Sequence, residues 1–152
     1  MTWQRGRDSV QAMLSAGSLD TISGAAATGL PLIDSARGLL GSARRESTEN
    51  PEATYVLAYD AARKSCAALL AQQGLRTKST GHHVTTEQVV RAQFGGPFDS
   101  FATLRRRRVE IEYPRFPGDD IDETEVLAAL DKAQRILDSA IQLLPQLSLF
   151  RP

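Results

Sequence analysis

The chain has 152 residues, of which 41% are hydrophobic, and it carries 18 basic and 18 acidic side chains. This composition is that of a globular protein of about one domain. It excludes a disordered chain and a general nucleic-acid-coating protein, which would carry a large net positive charge. The single cysteine, Cys66, excludes an internal disulfide framework and a Cys-rich zinc site.

The spacing of apolar residues predicts helices almost throughout the chain. A first helix is expected over about 8–16, and a small-residue, Gly-rich turn over 21–29. Pro31 suits the first turn of a second helix, and a polar loop is expected over 41–50. The apolar stripe of this second helix is Leu32, Ile33, Ala36, Leu39 and Leu40.

The third helix has the clearest boundaries. Asn50 is an N-cap residue, Pro51 occupies the first helical position, and Gly74 ends the helix. Its many alanines make it thin, so neighbours approach closely and we expect it at the centre of the bundle. Cys66 lies on its apolar stripe and is expected to pack rather than to act as a nucleophile. The stripe consists of Tyr55, Tyr59, Ala62, Cys66, Leu69 and Leu70.

A polar loop over 76–83 is expected to lead into a short helix, which a capping box beginning at Thr85 opens and which ends near Phe94. The loop contains the chain's two histidines, His82 and His83. Adjacent loop positions lack the spacing of a helical metal site, so we expect no metal there. A general acid–base role or a nucleic-acid contact for one imidazole stays open, because histidine titrates near neutral pH.

Two further helices complete the prediction. Asp99 or Ser100 caps the fifth, which ends near Glu112, and Asp122 caps a long final helix. The expected buried face of the final helix is Val126, Leu127, Leu130, Ala133, Ile136, Leu137, Ala140, Ile141 and Leu144. Because no segment alternates like a strand, the sequence predicts an all-α bundle of about five or six helices in a single domain, 1–152, with N-terminal helices in about 1–48.

The sequence also predicts a cytoplasmic protein. No segment approaches the roughly 18 consecutive apolar residues that span a membrane. Residues 1–20 contain no continuous apolar run of the kind found in a signal peptide. We therefore expect neither a membrane span nor a leader.

Four consecutive arginines, 105–108, lie on the fifth helix. At about 100° per residue, Arg106 and Arg107 point away from the face that carries Phe101. The residues predicted to share that face are Phe101, Leu104, Arg105, Arg108 and Glu112.

A desolvated arginine requires a carboxylate or phosphate partner. One interpretation is therefore a structural ion pair of Arg108 or Arg105 with Glu112. The other is an anion site, whose guanidinium groups would bind phosphate in bidentate fashion. Tyr113 would either add a hydroxyl to such a site or anchor the end of the helix.

The segment LRRRRVEIEYP (104–114), followed by an acid-capped helix containing AALDKAQRIL, resembles the HEPN superfamily (higher eukaryote and prokaryote nucleotide-binding domains). The helix ATYVLAYDAARKSCAALLAQQGLR is similar to the Ala-rich, Tyr-containing helix of small bacterial HEPN-like proteins. The resemblance covers about 50–144.

The resemblance implies a helical bundle, commonly a homodimer, and in active members a metal-independent ribonuclease site built on an Arg-x4–6-His motif. It also implies a role in toxin–antitoxin or defence systems, often beside a nucleotidyltransferase. Arg106 and Tyr113 match the family's arginine-plus-tyrosine arrangement, with Ile111 where the histidine would stand. Without that imidazole, we expect no standard ribonuclease activity.

These observations leave three hypotheses. The preferred one is a non-catalytic HEPN-like homodimer, without a cofactor, that binds a partner protein, a nucleotide or RNA through an Arg-rich groove formed by Arg105, Arg108, Glu112 and Tyr113. The alternatives are an active ribonuclease toxin with a non-standard site and a helical interaction module without enzymatic activity. The candidate catalytic residues are Arg108, Glu112, Tyr113, His82 and His83, and the candidate anion- or RNA-binding residues are Arg105, Arg106 and Arg108.

Overall fold

The computed structural model describes residues 3–46, 49–78 and 82–152. These residues form six α-helices and two short strands: α1 (Arg7–Ala16), β1 (Leu19–Thr21), α2 (Leu30–Glu46), α3 (Pro51–Gln72), β2 (Leu75–Thr77), α4 (His82–Gln93), α5 (Ser100–Glu112) and α6 (Glu123–Leu143). Short 3₁₀ helices cover Gly24–Ala26, Gly96–Asp99 and Leu144–Gln146. The prediction of an all-α bundle is confirmed. None of the helices described is long and apolar enough to cross a membrane.

Helix α3 is the centre of the bundle, as its alanine content predicts. It packs against α2 and α6 and also contacts α4 and α5. Its start is as expected, because the side chain of Asn50 accepts a hydrogen bond of 3.1 Å from the Ala53 N–H and Pro51 occupies the first turn. Its buried alanines are Ala58, Ala61, Ala62, Ala68 and Ala71. With side chains this small, the neighbouring helices pack closely around it.

Helix α6 lies along α3 and α2. The Asp122 carboxylate caps it by accepting a hydrogen bond of 2.8 Å from the Glu125 N–H, as predicted. The expected buried face is confirmed except at two positions: Leu127 is 55% exposed and Ile141 is half-buried. Leu127 is one residue, about 100°, beyond the buried Val126 and therefore falls outside the buried stripe.

Helix α2 is longer than the sequence predicts, and the expected loop is wrong over 41–46. The helix continues to Glu46 because Leu40 and Ala43 still face the core. In addition, Arg44 donates a hydrogen bond of 2.9 Å to Gln134 on α6. The rest of the expected loop includes residues 47 and 48, which lie outside the described part of the chain.

The expected polar loop over 76–83 is also wrong at both of its ends. Strand β2 pairs antiparallel with β1, with Asp20 opposite Arg76. Strands of three residues are too short to show an alternating pattern, so the sequence gives no signal for them. At the other end, α4 begins at His82, ahead of the expected cap at Thr85. The middle of that loop, residues 79–81, is not among the residues described.

Two capping predictions fail for a common reason. Thr85 is buried inside α4 rather than at its start. Asp99 precedes α5 but makes no side-chain capping bond, because the 3₁₀ helix Gly96–Asp99 runs directly into α5 with helical backbone angles. In both places, helical backbone already precedes the residue that the sequence predicts as the N-cap, so the helix does not begin at that residue.

Gly29 gives a test of the packing between the start of α2 and α3. A Cβ at this position would collide with the Ala68 carbonyl oxygen and would lie 2.6 Å from Leu144 Cδ1. We therefore expect Gly29→Ala to lower the free energy of unfolding by about 1–3 kcal/mol through overpacking.

Gly38 is the matched control, since it lies inside α2 with open space around it. Gly38→Ala is expected to raise the free energy of unfolding by about 0.5–1 kcal/mol. Urea unfolding of both variants measures the two effects. Equal effects of the same sign would contradict the close approach at Gly29.

Candidate anion-binding cavity between α5 and α6

The four consecutive arginines of α5 point toward different neighbours. Arg105 Nε donates to Glu87 Oε2 of α4 at 2.6 Å, and Glu87 also accepts from Arg91 at 3.2 Å. The side chain of Glu87 is only 10% exposed. This contact ties α5 to α4, so Arg105 lies at the core face as predicted, but its carboxylate partner is Glu87 and not Glu112.

Arg107 is the most deeply buried of the four arginines, with a side chain that is 12% exposed. Its Nε donates to Glu125 on α6 at 2.6 Å, and its Nη1 donates to Asp119 at 2.8 Å and to Glu110 at 3.1 Å. Arg107 lies about 120° around α5 from Phe101, as the periodicity predicts, but this side of the helix is covered and not open to solvent. On the helix it lies about 60° from Leu104, and α6 and the 113–122 loop cover this side.

Asp119 closes the loop between α5 and α6. Its side chain is 4% exposed and accepts hydrogen bonds from Arg107 and from both the backbone and side chain of Arg115. These bonds from Arg115 and Arg107 hold the pKa of the Asp119 carboxyl well below its usual range. The sequence places Asp119 in a turn, but nothing in its local pattern shows that it anchors two arginines.

Arg108 and Arg106 face more toward solvent. Arg108 Nη1 donates to Glu112 at 3.2 Å, which is one of the two ion pairs anticipated from the sequence. Because the Glu112 side chain is 56% exposed, this pair contributes little to stability. Arg106 is exposed and has no carboxylate partner among the described residues.

A cavity of about 400 Å³ opens between α5 and α6. Its charged lining consists of Arg106, Arg107, Arg115 and Lys132, together with Glu110 and Glu125. In the part of the chain that the structure describes, Lys132, like Arg106, makes no ion pair, whereas Arg107 and Arg115 are held by carboxylates. The cavity therefore presents two cations without an ion pair, and its four cations exceed the carboxylates Glu110, Asp119 and Glu125 by one charge.

Tyr55 of α3 also lines this cavity, although the whole residue is only 3% exposed. Burial, with a further contribution from the nearby Glu125 carboxylate, raises the pKa of the Tyr55 hydroxyl above its usual value. The hydroxyl is therefore protonated at neutral pH and is able to donate a hydrogen bond.

The remaining candidates lie elsewhere. Tyr113 is 70% exposed at the end of α5, and neither it nor Glu112, Arg105 or Arg108 lines the cavity. His83 does not line it either: its Nδ1 is hydrogen-bonded to the Tyr59 hydroxyl, and the two rings stack with centroids 5.6 Å apart. The predicted role of His82 depends on a side chain outside the described atoms.

The Tyr59 ring also stacks on Phe101, with centroids 5.5 Å apart, so His83 joins an aromatic stack between α4, α3 and α5. Cys66 is fully buried on α3, as predicted, and burial raises the pKa of its thiol. Over the described ranges, no group of three or more His, Cys, Asp or Glu side chains has an arrangement that could hold a metal ion.

The Asp119 contacts make stability depend on pH. Because the folded-state pKa of Asp119 is depressed, its contribution is present above the unfolded carboxyl pKa, about 4, and is lost as the pH falls toward the folded value. We expect Asp119→Asn to lower the urea midpoint clearly at pH 7. Its difference from the unmodified protein should shrink as the pH falls below about 4, because the unfolded chain then binds a proton at Asp119 that the folded protein does not yet bind.

Asp131→Asn is the matched control, since Asp131 forms an exposed pair with Arg135 on the surface of α6. Its effect on the midpoint at pH 7 should be several-fold smaller. A pH-independent effect of Asp119→Asn, or one no larger than the control, would argue against Asp119 as the anchor of the loop.

Comparison of the chain with family models, with curated proteins and with solved structures gives no match in any of the three. The function is therefore argued from the site itself, and the resemblance to the HEPN superfamily stays a prediction.

Proposed function

We propose that this protein is a non-catalytic helical bundle that binds a phosphate-bearing ligand, a nucleotide or RNA, in the cavity between α5 and α6. The observation that carries the proposal is that Arg106 and Lys132 both line a cavity of about 400 Å³ without an ion-pair partner among the described residues. A cavity of this size falls within the range of small-molecule sites, about 300–1,000 Å³.

The charge of the cavity matches a phosphate group. Arg107 and Arg115 pair with Asp119, Glu125 and Glu110, while Arg106 and Lys132 make no ion pair, so the four cations exceed the three carboxylates by one charge. A phosphate monoester carries about −1.5 to −2 charges at neutral pH, so it would compensate this excess while pairing with both Arg106 and Lys132. The planar guanidinium of Arg106 is suited to bidentate contact with phosphate oxygens, and Lys132 supplies a point charge.

Arg107 and Arg115, whose guanidinium groups are bound by carboxylates, also support this proposal. Arg107 is fixed by contacts with three elements, the end of α5, the following loop and α6, so the wall of the cavity is rigid before a ligand arrives. A preorganised wall reduces the entropy that binding must overcome. The protonated hydroxyl of Tyr55 adds an uncharged hydrogen-bond donor to the cavity.

A ribonuclease activity is not part of the proposal, because no imidazole among the described side chains lines the cavity and His83 is engaged with Tyr59. The resemblance to the HEPN superfamily supports a binding role, and from it alone we infer a place in a toxin–antitoxin or defence-type system with a nucleotidyltransferase as partner.

The proposal includes a homodimer formed through the exposed face of α5. Arg106, Val109 and Tyr113 follow one another at helical spacing, and Val109 and Tyr113 are 48% and 70% exposed. A second copy that covered this face would bury two apolar side chains beside the mouth of the cavity. It would also bring Tyr113, the residue that the resemblance pairs with Arg106, close to a binding site.

Ligand binding is tested with Arg106→Ala combined with Lys132→Ala. We expect this double variant to bind AMP, ATP or a short single-stranded RNA about tenfold or more weakly than the unmodified protein, since charge-assisted hydrogen bonds are lost. Isothermal titration calorimetry for the nucleotides and fluorescence anisotropy for the RNA measure the affinities. Binding of nucleotides alone would identify a nucleotide site, and binding of RNA alone an RNA site.

The matched control combines Arg37→Ala with Arg135→Ala, which removes two exposed cations that each pair with an aspartate on their own helix. Its affinity should equal that of the unmodified protein. Unchanged binding by a folded Arg106/Lys132 double variant would overturn the proposal, as would equal losses in both double variants.

The dimer is tested with Val109→Asp. A buried aspartate without a partner would disfavour the interface, so we expect the dimer to dissociate at concentrations where the unmodified protein is dimeric. Light scattering after size-exclusion chromatography measures the mass. Leu30→Asp, which changes a residue 61% exposed on α2, is the control and should remain dimeric. A monomeric unmodified protein would refute this part of the proposal.

A further inference from the structure

A second cavity, of about 380 Å³, lies between the start of α2, the C-terminal part of α3 and strand β2. Its lining is mainly apolar, with Ile22, Leu32 and Leu70 as large side chains and Ala67 and Ala71 as small ones. The cavity shares no lining residue with the one between α5 and α6. It is therefore a separate feature of the molecule, and a ligand bound in it would be independent of the proposed function.

The space exists because small residues face it from two sides. Ala67 and Ala71 stand on α3, and Ala25 and Ala26 occupy the 3₁₀ helix on the opposite wall. The cavity is open to solvent, because Ala25 and Ala26 are exposed, and its apolar walls therefore contact water. An apolar ligand would remove this apolar surface from water. Its volume lies within the range of small-molecule sites, about 300–1,000 Å³, and is sufficient for a hydrocarbon chain.

Among the described residues, one cation, Arg76, lines this cavity. Arg76 of β2 is exposed, lines the cavity and makes no ion pair within the described ranges. Its cross-strand neighbour Asp20 lies 3.7 Å from Lys78 Nζ instead. A single free guanidinium next to an apolar cavity matches a ligand with one negative charge and an apolar body.

We propose that this cavity binds a small amphipathic carboxylate, such as a medium-chain fatty acid. The hydrocarbon chain would occupy the space between α2, α3 and the 3₁₀ helix Gly24–Ala26, and the carboxylate would accept hydrogen bonds from Arg76. A carboxylate fits better than a phosphate monoester, because Arg76 is the one cation without an ion pair among the described lining residues, and the remaining polar lining described consists of Thr28 and Thr77.

Decanoate, below its critical micelle concentration, is the probe for this site. Isothermal titration calorimetry should show saturable binding with one site per chain. 1-Decanol, which has the same chain without the charge, should bind more weakly because it makes no ion pair with Arg76. Ala26→Trp places an indole at the exposed wall of the cavity and should abolish binding of both probes without changing the helical circular dichroism.

The variant Arg76→Glu tests the contribution of the cation to binding separately from that of the apolar cavity. This variant should bind decanoate at least about fivefold more weakly, because an exposed ion pair is replaced by repulsion, and should bind 1-decanol as the unmodified protein does. Arg135→Glu makes the same charge change on α6 and should leave both affinities unchanged.

Three results would overturn the proposal. One is the absence of saturable decanoate binding by the unmodified protein. Another is equal binding by a folded Ala26→Trp variant. The third is a loss of decanoate affinity in Arg135→Glu equal to that in Arg76→Glu, which would indicate a general charge effect and not a contact with Arg76.

Discussion

The close packing of four helices around the alanine-rich α3 is the constraint on which the rest of this structure depends. Ala58, Ala61, Ala62 and Ala68 are fully buried, so α2, α4, α5 and α6 all reach the same helix. A larger side chain at these positions would separate the elements, since cores of native density do not absorb additional methylene groups without strain. Both cavities lie where this central helix meets its neighbours, and Tyr55 and Ala67 of α3 line one each.

The second organising feature is that the consecutive arginines 105–108 make contacts with different neighbours. Arg105 joins α5 to α4 through Glu87, and Arg107 joins α5 to α6 and to the connecting loop. Buried guanidinium groups of this kind are tolerated because their charges are met by several carboxylates, which offsets the cost of desolvation. Arg106 remains without such a partner among the described residues. The proposed binding function therefore depends on the arginine that makes no ion pair with the described part of the fold.

Much of this fold is predictable from the sequence, because it depends on interactions between residues close together in the chain. The caps at Asn50 and Asp122 and the apolar stripe of α6 depend on nearest neighbours along the chain, and the structure has them. The failures involve distant partners. Residues 41–46 stay helical because they contact α6, and Arg107 turns inward because Asp119 and Glu125 lie beneath it. Helical angles order the side chains around α5 but do not show which sides its neighbours cover.

The sequence by itself determined that this protein is a bundle of helices with an alanine-rich centre and a concentrated patch of arginine. Those features follow from propensity, capping and periodicity, which act within a few residues. Only the tertiary structure decided which arginines are compensated, that His83 stacks on Tyr59, and where two cavities remain. Burial, ion pairing and empty space arise between segments distant in the chain, so their positions are fixed when the helices pack.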